Sequence, residues 1–373
     1  MRKLIYLTLT TILLWGCGNQ KKETLKIGVV LPLSGEAAMY GVSMKKSIDL
    51  AYSVSKNKHK TELIYQDDKG EPKSSVTAVN YLLSQGVDVI IGGALSRTAE
   101  PIIPIIDKKK IPLLSPSASA AQFDESSSYF FRLWVSDSYD GTKIAEYITK
   151  NYPKEDTRIA VFYSGSVYGE GIKIVFSKVL TAHGYEIVFN EPFTEGNIDF
   201  RSQLLKIKNS KANILFVPGY YAEVRNILRQ RIEIGLDVTV MGTSGFNDNK
   251  LLADPLMQTA IEGIIYTFPS FSIANDSISN NKTTDFLSKF KSNYGTEGDV
   301  FGANAYDCFA LIDSALTNGA NNSTKIFDFL HKSLIFSCSV LQSFNFENLY
   351  KAAITIIDFP HYFFELVPII HLI

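Results

Sequence analysis

Lys26-Ile27-Gly28-Val29-Val30-Leu31-Pro32-Leu33-Ser34-Gly35 decides how the rest of the chain is read. A short β-branched, apolar run predicts a strand over residues 26–31, and the small and hydroxyl residues behind it lead into a segment of helical period at 41–55. The same alternation continues downstream. It predicts strands at 62–66, 87–91, 112–115, 159–163, 186–189, 214–217, 238–241 and 263–267. Helices are predicted at 73–85, 99–108, 138–151, 169–183, 200–208, 221–234, 283–292 and 303–317. Strands and helices in this order make parallel sheets covered on both faces, a doubly wound α/β architecture. No internal sequence repeat is visible.

In such sheets a ligand sits beyond the carboxyl ends of the strands. Three of those ends carry small and hydroxyl residues: Leu33-Ser34-Gly35, Gly92-Gly93-Ala94-Leu95-Ser96 and Ser115-Pro116-Ser117-Ala118-Ser119. Ser96 is placed to cap the helix opening near Ala99, with Pro101 in its first turn. A helix start with free N–H groups and nearby hydroxyls suits a carboxylate, although capping alone also explains each loop.

A chain of 373 residues is long enough for two lobes, and its 46% hydrophobic and 20% charged residues are those of a folded protein. With 37 Lys+Arg against 38 Asp+Glu it presents no field for nucleic acid, and Lys108-Lys109-Lys110 reads as a solvated helix end. Arg2 and Lys3, the apolar stretch from Leu4 to Leu14, and small Gly16 before Cys17 read as a secretory signal. The apolar stretch is about half of the ~20 residues a membrane-spanning helix needs. Leu14-Trp15-Gly16-Cys17 resembles the lipobox of bacterial lipoproteins, which implies acylation of Cys17, a polar tether over 18–24 and a lipid-anchored life in the cell envelope. Cys308 and Cys338 permit one disulfide and require none. The five histidines are scattered and no metal-ligand spacing occurs, so no metal is expected.

Several ordered motifs resemble the leucine/isoleucine/valine-binding protein family of type I periplasmic solute-binding proteins. The likeness runs from residue 25 to 316, through residues 26–35, Met39-Tyr40-Gly41, Tyr65-Gln66-Asp67-Asp68 and Ile91-Gly92 onward to Ser96. It continues through Leu114 to Ser119, Tyr168-Gly169-Glu170-Gly171, Pro218 to Glu223, and Phe301-Gly302-Ala303-Asn304-Ala305-Tyr306. The resemblance implies two Rossmann-like lobes joined by a hinge, with 25–137 plus 268–334 as lobe I and 138–267 plus 335–373 as lobe II. It implies a small-molecule ligand, such as an amino acid, and an ABC permease of the inner membrane as partner. It puts Ser96, Ser117 and Ser119 at the ligand carboxylate, and Tyr40, Tyr168, Tyr220 and Phe301 where aromatic rings close around the ligand.

Two departures stand out. Where the family usually carries an acid for the ligand ammonium, this chain has Ser244, within Gly242-Thr243-Ser244-Gly245-Phe246-Asn247-Asp248. A buried ammonium without a counter-charge costs several kcal/mol. Either Asp248 substitutes through a shifted loop or the ligand, while keeping a carboxylate or amide, lacks a free ammonium. From Phe336 the family pattern predicts a glycine-containing strand, a turn matched by Ser343-Phe344-Asn345-Phe346-Glu347-Asn348, and a last strand; the apolar end at 358–373 does not fit it.

No nucleophile elbow, phosphate loop or dinucleotide loop occurs, so neither catalysis nor a cofactor is expected. Asp67-Asp68 reads as turn chemistry, since neighbours on a strand point to opposite faces. The alternative to a transport role is a ligand-binding sensor of the same fold acting on a membrane partner.

Overall fold

The computed structural model describes residues 24–124, 126–246, 257–269, 281–341 and 364–368. Strand β1 (Leu25–Leu31) lies within a five-stranded parallel sheet ordered β2-β1-β3-β4-β5. Its partners are β2 (Thr61–Asp67), β3 (Val89–Gly92), β4 (Leu113–Ser115) and β5 (Phe130–Arg132). A second sheet is ordered β11-β10-β9-β8-β6-β7. Strands β6 (Arg158–Ser164), β7 (Glu186–Phe193), β8 (Ile214–Phe216), β9 (Thr239–Gly242) and β10 (Ile265–Pro269) run parallel in it. Strand β11 (Phe364–Pro368) pairs antiparallel on the β10 edge, with Ile265 opposite Pro368. Apart from β11 the second sheet repeats the order of the first, so the architecture is duplicated although the sequence shows no repeat.

The β period of two explains the layers. Ile27, Val29 and Leu31 pack with Met44 and Ile48 of α1 (Ala38–Val54) and with Phe309 and Ile312 of α11 (Val300–Thr317). Val30 faces the other way, onto Val79 and Leu82 of α2 (Pro72–Ser84) and Ile106 of α4 (Ile103–Lys109). In the second lobe Val161 and Phe216 meet Ile148 of α5 (Asp137–Asn151) and Phe176 of α6 (Val167–Ala182). Phe162 and Leu215 meet Leu204 of α7 (Arg201–Asn209) and Ile227 of α8 (Tyr221–Glu233) on the opposite face. Between β10 and β11 the chain returns to the first lobe: Phe286 and Phe290 of α10 (Asn281–Tyr294) pack on Leu50 of α1, α11 packs there too, as do Ile326 and Leu330 of α12 (Ser323–Leu341).

Several sequence expectations change. The helix predicted at 99–108 is two, α3 (Ser96–Ala99) and α4, because Pro101 and Pro104 each lack the N–H an uninterrupted helix would use. Ser96 is not a cap: α3 begins with it, Leu95 holds the cap position, and no side-chain cap bond forms. Strand β5 and the short α9 (Gln258–Ile261) were not predicted. Phe336 falls in helix α12, where a strand was expected, while Ser343 to Asn348 lie outside the described residues. The reading of Asp67 and Asp68 as turn chemistry agrees with the structure. Asp67 Oδ1 accepts the N–H groups of Leu33 and Lys69, and Asp68 Oδ1 accepts that of Gly70. Lys108, Lys109 and Lys110 are exposed, and Lys110 ends α4 in the left-handed region at φ 55°.

Candidate ligand-binding cleft

Every sequence-predicted site residue that the structure describes follows a strand end or opens a helix at the level of those ends. Tyr40 opens α1 after β1, Ser96 follows β3, and Ser117 and Ser119 follow β4. Tyr168 opens α6 after β6, Tyr220 follows β8, Ser244 follows β9, and Phe301 opens α11. All eight line one cleft between the two sheets, the kind of concave, partly apolar place where small molecules bind. Ala94, Leu95, Trp134 and Gly245 line it too and were not predicted. Cys17 and Asp248 lie outside the described residues.

The walls are aromatic. On the first-lobe side Trp134 stacks on Phe301, with centroids 5.1 Å apart and planes 6° off parallel, and Tyr40 meets Phe301 edge-on at 4.8 Å. On the other side Tyr168 and Tyr220 stack at 4.8 Å. Trp134 Nε1 and the Tyr220 hydroxyl are buried without a hydrogen-bond partner. Buried polar atoms are nearly always paired, so orphans lining a cleft mark places where a ligand's polar groups can bind.

The floor has a readable donor and acceptor pattern. Ser96 Oγ accepts the N–H groups of Ser119 (3.2 Å) and Ala120 (3.1 Å), which leaves its own O–H to donate. Ser117 Oγ donates to the Ala94 carbonyl at 2.5 Å, which leaves its lone pairs to accept. The loop beneath is fixed: Ser115 Oγ donates to Gly93 C=O and accepts from Ala118 N–H, and Asn304 Nδ2 donates to the Pro116 and Leu133 carbonyls. Tyr168 OH pairs with Thr243 Oγ1 at 2.6 Å, and burial, then the charge of Asp137 and Asp140, pushes its pKa up. It stays a neutral phenol.

Two glycines bring backbones together at this level. A Cβ on Gly41 would stand 2.1 Å from Pro32 O, so only glycine lets α1 start against the turn and present Tyr40. A Cβ on Gly245 would stand 2.0 Å from Gly219 O, where the loops bearing Ser244 and Tyr220 meet. Gly245→Ala is therefore expected to wedge them apart, costing ~1–3 kcal/mol of stability and most of the ligand affinity. Thermal melting and calorimetric titration of the variant check this; unchanged affinity would contradict it.

At the cleft mouth Arg97 reaches across. Its Nη1 donates to Glu195 Oε2 at 2.7 Å, its Nε donates to Gly70 C=O at 2.8 Å, and its guanidinium lies 5.0 Å from the Tyr220 ring centre. Glu195 Oε1 accepts from Ser164 Oγ at 2.5 Å. Sequence reasoning had no signal for this pair, which lies 98 positions apart.

Two α/β lobes with an aromatic, hydroxyl-floored cleft at their strand ends define a solute-binding protein of the type I periplasmic fold. The sequence profile described as periplasmic binding protein matches residues 24–332, and the chain belongs to that family. It is similar to Leu/Ile/Val-binding protein homolog 3 of Brucella melitensis, 25% identical, covering 81% of each chain. It is 26% identical to the leucine-, isoleucine-, valine-, threonine-, and alanine-binding protein of Pseudomonas aeruginosa, covering 78% of this chain and 77% of that one. The branched-chain amino acid transporter substrate binding protein of Streptococcus pneumoniae, solved with isoleucine, superposes with a TM-score of 0.72 at 28% identity, covering 83% of this chain and 88% of that one. Among the described residues no helix is long and apolar enough to cross a membrane.

Proposed function

We propose that this chain is the extracytoplasmic solute-binding lipoprotein of an ABC importer, held to the membrane by an acylated Cys17. It would capture a small amino acid, or an amide- or carboxylate-like ligand, by closing its two lobes. The observation that carries this reading is the cleft itself: the eight residues picked from the motifs converge there from both lobes, with a free donor at Ser96 and aromatic rings on either side. The named relatives that bind branched-chain amino acids support the ligand class. Closure must come from contacts that the closed form makes better, since a ligand shifts populations only by its differential affinity.

The test is the thermal midpoint of the form beginning at Gly18, scanned against aliphatic, polar and acidic L-amino acids, short amides and carboxylates. A ligand at a hundredfold over its Kd adds ~2.7 kcal/mol and raises the midpoint by several degrees. A panel without any shift would refute the reading.

A further inference from the structure

Helix α6 of the second lobe begins against the first lobe. Val167, its first residue, packs on the cluster that holds Ala118, Ala120 and Phe123, and its carbonyl accepts Gln122 Nε2 at 3.2 Å. One turn on, Gly171 is buried. Beyond its own stretch of helix, the three heavy atoms nearest a Cβ placed there all belong to the first lobe: Gln122 Oε1 at 2.9 Å, Ala121 N at 3.6 Å and Gln122 Cδ at 3.7 Å. The backbone does not ask for glycine at this position, since its φ is not positive and a helix interior favours alanine. What glycine supplies is the close approach of α6 to the turn at Ala121–Phe123.

Neither side of this contact yields easily. Helix α6 is held in its own lobe by Gly141 of α5, where a Cβ would stand 2.8 Å from Ile172 O. The first-lobe turn is tied by Ser96 Oγ, which accepts the Ser119 and Ala120 N–H groups, and by Arg132 Nη1, which donates to the Ser119 and Ala120 carbonyls at 3.0 Å each. The same two segments carry cleft residues: Ser119 stands just before the turn, and Tyr168 lies three positions before Gly171 on the same face of α6.

We propose that Gly171 and Gln122 form the stop against which the lobes close, so that position 171 sets the width of the cleft and with it the largest ligand the closed form admits. The inference rests on the function proposed above and adds a size limit to it. A methyl group at 171 displaces only the end of the flexible Gln122 side chain and costs its bond to Val167 C=O. A longer side chain meets the backbone at Ala121, which cannot move without unmaking the bonds from Ser96 and Arg132 next to it. Packed surfaces do not deform continuously, so such a side chain holds the lobes apart.

The wild type, Gln122→Ala, Gly171→Ala, their double variant and Gly171→Leu are titrated calorimetrically with L-isoleucine and the bulkier L-phenylalanine, and their radii of gyration are measured by small-angle scattering. Gly171→Leu should weaken isoleucine binding roughly thirtyfold or more and shift the ratio of the two affinities toward phenylalanine. Its radius of gyration should rise while the melting midpoint of the unliganded protein holds, which a merely misfolded variant would not show. Gln122→Ala and Gly171→Ala should each cost about twofold to tenfold in isoleucine affinity, and the double variant no more than either, because both remove the same bond. Should Gly171→Leu not fold, that cycle decides, and additive losses overturn the inference. Isoleucine bound by Gly171→Leu as tightly as by the wild type, or an unchanged ratio of the two affinities, would also overturn it and leave the solute-binding reading intact. If neither amino acid binds the wild type, scattering decides, and an unchanged radius in Gly171→Leu overturns the inference. Only a broad panel in which nothing binds overturns the function proposed above.

Discussion

The unliganded protein should become less stable as the pH rises from 5 to 8, and Asp140→Asn should remove part of that loss, the neighbouring buried Asp137 being pushed up as well. Asp140 has no exposed surface, its oxygens have no hydrogen-bond partner, and burial pushes its pKa up to about 7. An unfolded chain ionises the same carboxyl near ~3.9. Between those values the folded form holds a proton that the unfolded form has given up, and every pH unit then costs ~1.4 kcal/mol. The stabilisation is complete below about pH 4 and is lost as the pH rises through 7. The full loss is on the order of 4 kcal/mol for this group. Asp68, pushed up to about 6 chiefly by burial, adds in the same direction over a lower window. Asparagine cannot ionise and resembles the protonated acid in size. The check is the thermal midpoint of both proteins at pH 5 and pH 8. A wild-type midpoint that is higher at pH 8, or an equal drop in the variant, would refute the argument.

The lobes were legible because their strands are short β-branched runs that must be buried on both faces, as Ile27 to Leu31 shows. The helices between them carry the helical period, and both signals survive without tertiary context. What escaped lacks such a signal. Strand β5 is three residues, Phe130–Arg132, set by pairing with β4, and Trp134 escaped with it. The split into α3 and α4 is signalled by Pro101 and Pro104, although the helical period over 99–108 reads as one helix. Helix α12 was not predicted, and its last turns stand where a strand was expected from Phe336.

At the cleft, eight residues were found because strand-end loops are where a doubly wound sheet binds and because the motifs fixed their order. Ser96, also expected to cap a helix, instead ties down the neighbouring Ser119 loop with its oxygen. Arg97 and Glu195 escaped because their meaning lies in a contact between segments far apart in sequence. Asp137 read alone is a helix-start acid; its full burial and its backbone bond to Ser119 C=O show only in the fold.

Arg97→Ala and Glu195→Ala should each weaken ligand binding about tenfold to thirtyfold, ~1.4–2 kcal/mol, mainly through faster release. The two side chains come from different lobes, α3 and the segment after β7, and are only 17% and 19% exposed. Solvent screening, which reduces exposed pairs to almost nothing, is therefore weaker here, although partial exposure keeps the effect below that of a fully buried pair. Each partner is also held from its own lobe, Arg97 by Gly70 C=O and Glu195 by Ser164 Oγ, so little side-chain entropy is left to lose when the lobes meet. An opened cleft would separate the charges, so the pair favours the closed form and hence retention of the ligand. The double variant should then be no weaker than the worse single one, because the second truncation removes a charge already left without its partner. Stopped-flow release rates and calorimetry on the four proteins of this cycle measure the coupling. Additive losses would mean that the two residues act separately and that the pair does not hold the lobes together.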